Sequence, residues 1–243
     1  MKILLYFILS ILIFNPFNCS AQTTDIDDKY VQNILSSKNE KALDDLINAG
    51  LDVNSRDANG DTMLHYALMN NDDLYMSRKL IEAGADVNSP SSSGMTPLII
   101  ATSTANELQL HKMMLEATNQ DTKKEVYQAK LNERIEYQMN RAIAMLQMLL
   151  EQGADVNQET PMGTPLMNAS TSDWNLDMVE ILLEAGAKVN QQDRNGRTAL
   201  FYAHVFGSDE VATLLIKSGA NINIKDRDGL TYMEVESANF IKK

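Results

Sequence analysis

Three histidines and two acid-rich turns are the residues of this chain whose types could do chemistry. A zinc site on a helix shows in sequence as paired histidines, typically four residues apart. His65, His111 and His204 are widely separated, and His111 has no partner at that spacing. The turns DANGD at 57–61 and KDRDGLT at 225–231 look like pieces of a calcium loop. Such a loop needs oxygen ligands at positions 1, 3 and 5 before an obligatory glycine, then a closing glutamate. Phasing on Gly60 puts Ser55 first and Tyr66 last, and phasing on Gly229 puts Ile224 first and Val235 last. Calcium is therefore rejected. No Gly-x-Ser-x-Gly elbow and no glycine-rich phosphate loop occurs, so neither a cofactor nor catalysis is expected. An enzyme remains only as an alternative, because active sites converge in space rather than in sequence.

The elements that carry these residues belong to a chain of 243 residues, 44% hydrophobic and 22% charged, which is enough to bury a core. Its net charge of −12 opposes phosphate backbones, and nucleic acid is excluded as the expected partner. Residues 1–21 join one cation, Lys2, to an apolar run from Ile3 to Phe14 and then to Cys19-Ser20-Ala21. That is the anatomy of a secretory signal cut after Ala21, too short to span a bilayer comfortably. The expectation is export to the periplasm or beyond, with no membrane insertion after cleavage. Lipid attachment at Cys19 is the rival reading, although Pro16 and Asn18 fit a lipoprotein signal poorly. Cys19 is the sole cysteine, so the chain from Gln22 onward has no disulfide and no thiol nucleophile.

One phrase recurs along the remainder: AGLDVN at 49–54, AGADVN at 83–88, QGADVN at 152–157, AGAKVN at 185–190 and SGANIN at 218–223. Its glycines, Gly50, Gly84, Gly153, Gly186 and Gly219, are separated by 34, 69, 33 and 33 residues. A second phrase keeps phase with it: TMLHYA at 62–67, TPLIIA at 96–101, TPLMNA at 164–169 and TALFYA at 198–203, with a half-copy from Thr231. Thr suits a helix N-cap, Pro97 and Pro165 suit the first helical position, and the glycines suit helix termination. No single unit can bury its own faces, so the stack must be the folding unit.

This pattern resembles the ankyrin repeat, whose consensus of about 33 residues carries T-P-L-H-x-A. The resemblance implies an all-α solenoid of stacked helix-turn-helix units with finger-like turns over residues 40–237. Residues 22–39 are read as a disordered lead and the start of an N-terminal cap, and 238–243 as a tail. His65 occupies the position of the family's structural histidine.

Two departures stand out. The 69-residue step is 34 plus 35, with Thr118 where a glycine is expected, and Leu131, Ile135, Met139, Ile143 and Leu146 follow at helical spacing. Residues 122–152 are read as one long amphipathic helix that either extends the repeat beginning at Thr96 or replaces a degenerate repeat. The step from Gly153 to Thr164 is 11 residues where the others are 12, which predicts a shortened finger at 161–163.

By the same resemblance the concave face, built of fingers and first helices, binds another protein. The candidate finger residues are Arg56, Asn59, Asp61, Arg194, Arg197 and Arg227, with Ser92, Met95, Met162 and Leu230 alongside. The first helices offer Tyr66, Tyr202 and His204, with Asn70, Thr102, Asn168 and Thr171. Trp174, the sole tryptophan, falls in the turn between two helices, where it either covers the inserted helix or serves as an interface anchor. The expected function is a non-enzymatic, exported binding module with one protein partner, monomeric itself. The alternatives are an inhibitor or immunity-type protein and a membrane-tethered assembly factor.

Overall fold

The computed structural model describes Ile34 and residues 39–57, 59–70, 74–103 and 124–235. The expected signal at 1–21 with Cys19, most of the expected lead at 22–39, His111, Thr118 and the expected tail at 238–243 lie outside the described residues.

The described chain is a row of helix pairs. Helix α1 (Glu40–Asn48) leads, followed by α2 (Met63–Asn70) with α3 (Tyr75–Glu82). Helical residues 97–103 (α4) precede the long α5 (Lys124–Glu151). Then come α6 (Pro165–Ala169) with α7 (Leu176–Glu184), joined through a 3-10 turn at Asp173–Asn175, and α8 (Ala199–Phe206) with α9 (Asp209–Lys217). Among the described residues the extended pairing is confined to isolated bridges at the bases of loops, such as Arg56 with Thr62 and Lys225 with Thr231. The fold is the all-α solenoid the repeats predict.

The sequence period becomes a packing period. Leu64, Leu98, Leu166 and Leu200, each two residues after the phrase's Thr, are all buried, and Ala67, Ala101, Ala169 and Ala203 are completely so. The small alanines let neighbouring helices approach, and each buried leucine contributes about 1.5–3 kcal/mol of apolar transfer. On the second helices the same register holds Met76 with Leu80, Met178 with Leu182, and Val211 with Leu215. In α5 those two positions are filled by Met145 and Leu149, both fully buried.

That register places the C-terminal end of the irregular segment. The C-terminal third of α5 serves as the second helix of the repeat that begins at Thr96, stacked directly after the repeat that ends at Gly84. A ladder of asparagines says the same. Asn54 Nδ2 donates to the Gly84 carbonyl at 3.0 Å, Asn157 Nδ2 to Gly186 at 3.2 Å, and Asn190 Nδ2 to Gly219 at 3.1 Å. Asn88 makes the equivalent 3.1 Å bond directly to Gly153, across the whole insertion. The backbone turns sharply at these glycines, with Gly153 at φ 84°, where a side chain would be strained.

At 28 residues α5 runs about 42 Å at 1.5 Å per residue, while α7 and α9 have 9 residues each. Its excess is entirely N-terminal, so it projects past the end of the stack where first helices turn into second helices. Arg141 fastens it there: the buried guanidinium donates through Nη2 to the Leu68 carbonyl near the C-terminus of α2, at 2.9 Å. A cation suits that helix end.

Threonine capping is only partly as expected. Thr96 and Thr164 accept from the amides of Ile99 and Met167, both at 3.3 Å, as N-caps do. Thr198 makes no side-chain cap bond, and the Thr62 hydroxyl turns instead to a histidine ring.

Candidate functional site

Each finger is a tight loop held by its first residue. The Asp57 carboxylate accepts from the amides of Asn59 and Asp61, both at 2.9 Å, and Asp193 does the same for Asn195 and Arg197, both at 2.8 Å. Asp226 repeats the arrangement with Asp228 and Leu230. These are Asx turns, which explains why the acid-rich stretches look like cation loops. Ser91 and Thr160 replace the aspartate with a hydroxyl in the other two fingers. The finger at Thr160 is one residue shorter, its bridge closing from Thr160 to Gly163, as its spacing predicts.

A tyrosine one turn into the first helix braces two of the aspartates. Tyr66 Oη donates to Asp57 Oδ2 at 2.5 Å, and Tyr202 Oη to Asp193 Oδ2 at 2.7 Å. Burial alone pushes the Asp57 carboxyl up, but the bonds from Tyr66, Asp61 and Asn59 outweigh it and hold it below its ordinary value. The same bond, helped by burial, pushes the Tyr66 hydroxyl up to about 12. For Tyr202 burial comes first and the Asp193 bond second, again raising the hydroxyl. Neither tyrosine is a free anchor; both are half-buried braces with one face toward solvent.

Two pairs of neighbouring fingers are tied together. The Ser92 amide donates to the Asn59 carbonyl at 3.2 Å, and the Arg227 amide to Asn195 at 2.9 Å. Gly196 makes the second approach possible, since a Cβ there would stand 3.0 Å from the Arg227 nitrogen. Arg56, although exposed, spends its guanidinium on the next repeat, bonding Pro90 O and Ser89 Oγ as well as its own finger at Gly60 O.

The expected surface residues therefore divide. Asn59, Arg194 and Arg227 are exposed finger residues, Asp61 is half-buried, and His204 is exposed with its ring edge-on to Tyr232 at 5.4 Å. Arg197 is a correction. It is 6% exposed, and its Nε lies 3.8 Å from Asp226 Oδ2 of the next finger. The following repeat lies over it, so it joins repeats and cannot meet a partner. Thr102 and Asn168 are likewise buried, the former donating to the Ile99 carbonyl and the latter to Ser103 Oγ. The side chain of Asn70 lies outside the described residues.

His65 has the structural role its position implies. It is fully buried; its Nδ1 accepts from the Thr62 amide at 3.1 Å, and its Nε2 donates to the Met95 carbonyl at 3.0 Å. Those partners require the neutral, Nε2-protonated tautomer.

Two surface features escaped the reading of the sequence. Phe206, at the end of α8, is 51% exposed, and Met69 holds a similar place at the end of α2. Their signal was a large apolar residue just beyond the buried Ala of the repeat phrase. The second feature is a cleft of about 370 Å³ between the projecting part of α5 and the turn that carries Trp174. Trp174 thus faces the inserted helix at the end of the stack opposite the fingers. Among the described residues no cluster of three or more His, Cys, Asp or Glu could hold a metal, and no helix is long and apolar enough to cross a membrane.

Paired helices in one stacking register, tied by an asparagine ladder and a row of fingers, define a repeat scaffold of the interaction type. The family model described as ankyrin repeats (3 copies) matches residues 33–125 and 137–226, and the chain belongs to the ankyrin-repeat family. Ankyrin repeats are in general protein–protein interaction modules. No curated protein matches the chain.

Proposed function

We propose that this chain is an exported, non-catalytic binding module that holds one protein partner on its finger and first-helix face. The observation that carries the reading is the pair Arg194 and Arg227. They are exposed on adjacent fingers whose backbones are bonded together, on a chain of net charge −12. Rigid fingers lose little entropy on binding, and arginine is enriched at interface centres. Leu230 and Phe206, 38% and 51% exposed, supply apolar area in the same C-terminal repeats. A partner presenting carboxylates around an apolar centre fits this composition. Export rests on the apolar, singly charged leader at 1–21.

The test is affinity capture by residues 22–243 from the extracytoplasmic fraction, with an Arg194→Glu/Arg227→Glu chain alongside. One dominant protein held by the first and released by the second is the expected result. Equal retention by both chains overturns the choice of surface, and no retained protein at low salt overturns the module reading. Export is checked by N-terminal sequencing of the secreted chain, with Gln22 expected first.

A further inference from the structure

The cleft beside Trp174 belongs to this chain's own insertion rather than to the repeat pattern. One wall is a single face of α5. Ile135, Met139 and Ile143 fall at i, i+4 and i+8 and form its apolar floor, with Ile135 buried and the other two half-buried. Beside them Asn132, Glu136 and Asn140 make a parallel polar stripe at the same spacing, all exposed. The opposite wall is Trp174, 36% exposed, with Asp177 one turn further along. An indole, an adaptable thioether and two isoleucines thus meet two carboxylates, and among the described residues no Lys or Arg lines the space.

The walls are firmly placed. Arg141 anchors α5 to α2 next to this face, and Met145 and Leu149 bury the helix in the stack. On the other side Ser172 Oγ accepts from the Trp174 amide at 3.1 Å, and Asn175 Nδ2 donates to the Ala169 carbonyl at 3.0 Å. Such a cleft keeps its shape before any ligand arrives, which lowers the cost of binding.

We propose that this cleft is a second docking site, for a protein segment carrying one Arg or Lys between apolar residues. The cation would stack on Trp174 and lie between Glu136 and Asp177, and its aliphatic stem and neighbours would cover Ile135, Met139 and Ile143. Charge selects the occupant: an acidic or phosphorylated segment meets the two carboxylates of like sign, and a purely apolar one leaves them unsatisfied. This site is independent of the finger surface.

Trp174, as the sole tryptophan, reports on the cleft alone. The experiment follows its emission in the chain of residues 22–243 during titration with the peptide acetyl-Ala-Leu-Arg-Leu-Ala-amide and with its Arg→Glu twin. A saturable emission change with the arginine peptide, absent with the glutamate peptide, is expected. In a Glu136→Gln/Asp177→Asn chain, whose two changes lie at exposed positions, the dissociation constant should rise about tenfold. The Arg194→Glu/Arg227→Glu chain should respond like the wild type, so the finger reading and this one fail separately. No response to the arginine peptide overturns the proposal, as does an equal response to both peptides. Shielding of Trp174 from acrylamide in the free protein also overturns it, because the cleft is then filled by the chain itself.

Discussion

Asn88 Nδ2 donates to the carbonyl of Gly153 at 3.1 Å, across a sequence separation of 65 residues. The same side chain accepts from the Asp155 amide at 2.7 Å, so both halves of the amide are used. Two repeats are joined edge to edge although the long α5 stands between them in sequence.

Asn88→Ala removes both bonds at an interior junction and should lower stability by about 1–2 kcal/mol. Asn190→Ala removes the same pair of bonds, to Gly219 and Asn221, nearer one end of the described stack. In a linear stack an interior break uncouples more structure than a terminal one. Urea unfolding should therefore show a larger fall in midpoint and a broader transition for Asn88→Ala than for Asn190→Ala.

Arg197→Ala leaves the Asp226 carboxylate buried without its cation and should cost about 3 kcal/mol. Arg194→Ala, on an exposed neighbour in the same finger, should stay within about 0.5 kcal/mol of the parent. Urea midpoints separate the two arginines. Equal values would contradict the burial assigned to Arg197.

His65 should make the fold sensitive to mild acid. Burial, the foremost cause, holds its imidazolium form below the ordinary 6.5, against the opposing pull of the Met95 carbonyl and the Asp61 carboxylate. The unfolded chain then takes up a proton before the native one does. Stability is full above about pH 6.5 and declines as pH falls from there towards the lowered native value, by at most about 1.4 kcal/mol per pH unit. Protonation also sets an Nδ1–H against the Thr62 amide that now donates to it. Thermal melts of wild type and His65→Gln at pH 7.5, 6.5 and 5.5 should show the slope flattened in the variant.

Arg141→Met keeps the aliphatic bulk but loses the bond to the Leu68 carbonyl. A loss of about 1.5–3 kcal/mol is expected, concentrated at the arm. Hydrogen exchange should quicken at residues 132–141 of α5 and at the last turn of α2, while residues 145–151 keep their protection. Uniform protection along α5 in the variant would show that the arm is held by other means.

The helices, the finger positions, the shortened loop and the buried role of His65 were legible because each follows from local chemistry repeated at a fixed phase. The 69-residue step was not. Met145 and Leu149 fit a second helix, yet the same stripe also fits a free-standing one, and only the contact from Asn88 to Gly153 decides between them. Arg197 misled for a related reason. Its position in the finger reads as solvent-facing until the next finger, with Asp226, is laid upon it. The cleft at Trp174 needed two elements brought together from either side of a finger, and no spacing rule reaches across that distance.

The finger row itself is interrupted at the shortened finger. Ser92 and Arg227 each tie their finger to the preceding one through a backbone amide, but Pro161 holds that place in the shortened finger and has no N–H to give. A residue is also missing there after Gly163, at the position that Asp61, Met95, Arg197 and Leu230 fill elsewhere. The face therefore comes as two short strips separated by a seam, one carrying Asn59 and the other Arg194 and Arg227. A partner long enough to cover both makes two modest contacts from one rigid body, and its affinity grows by effective concentration rather than by the strength of either contact.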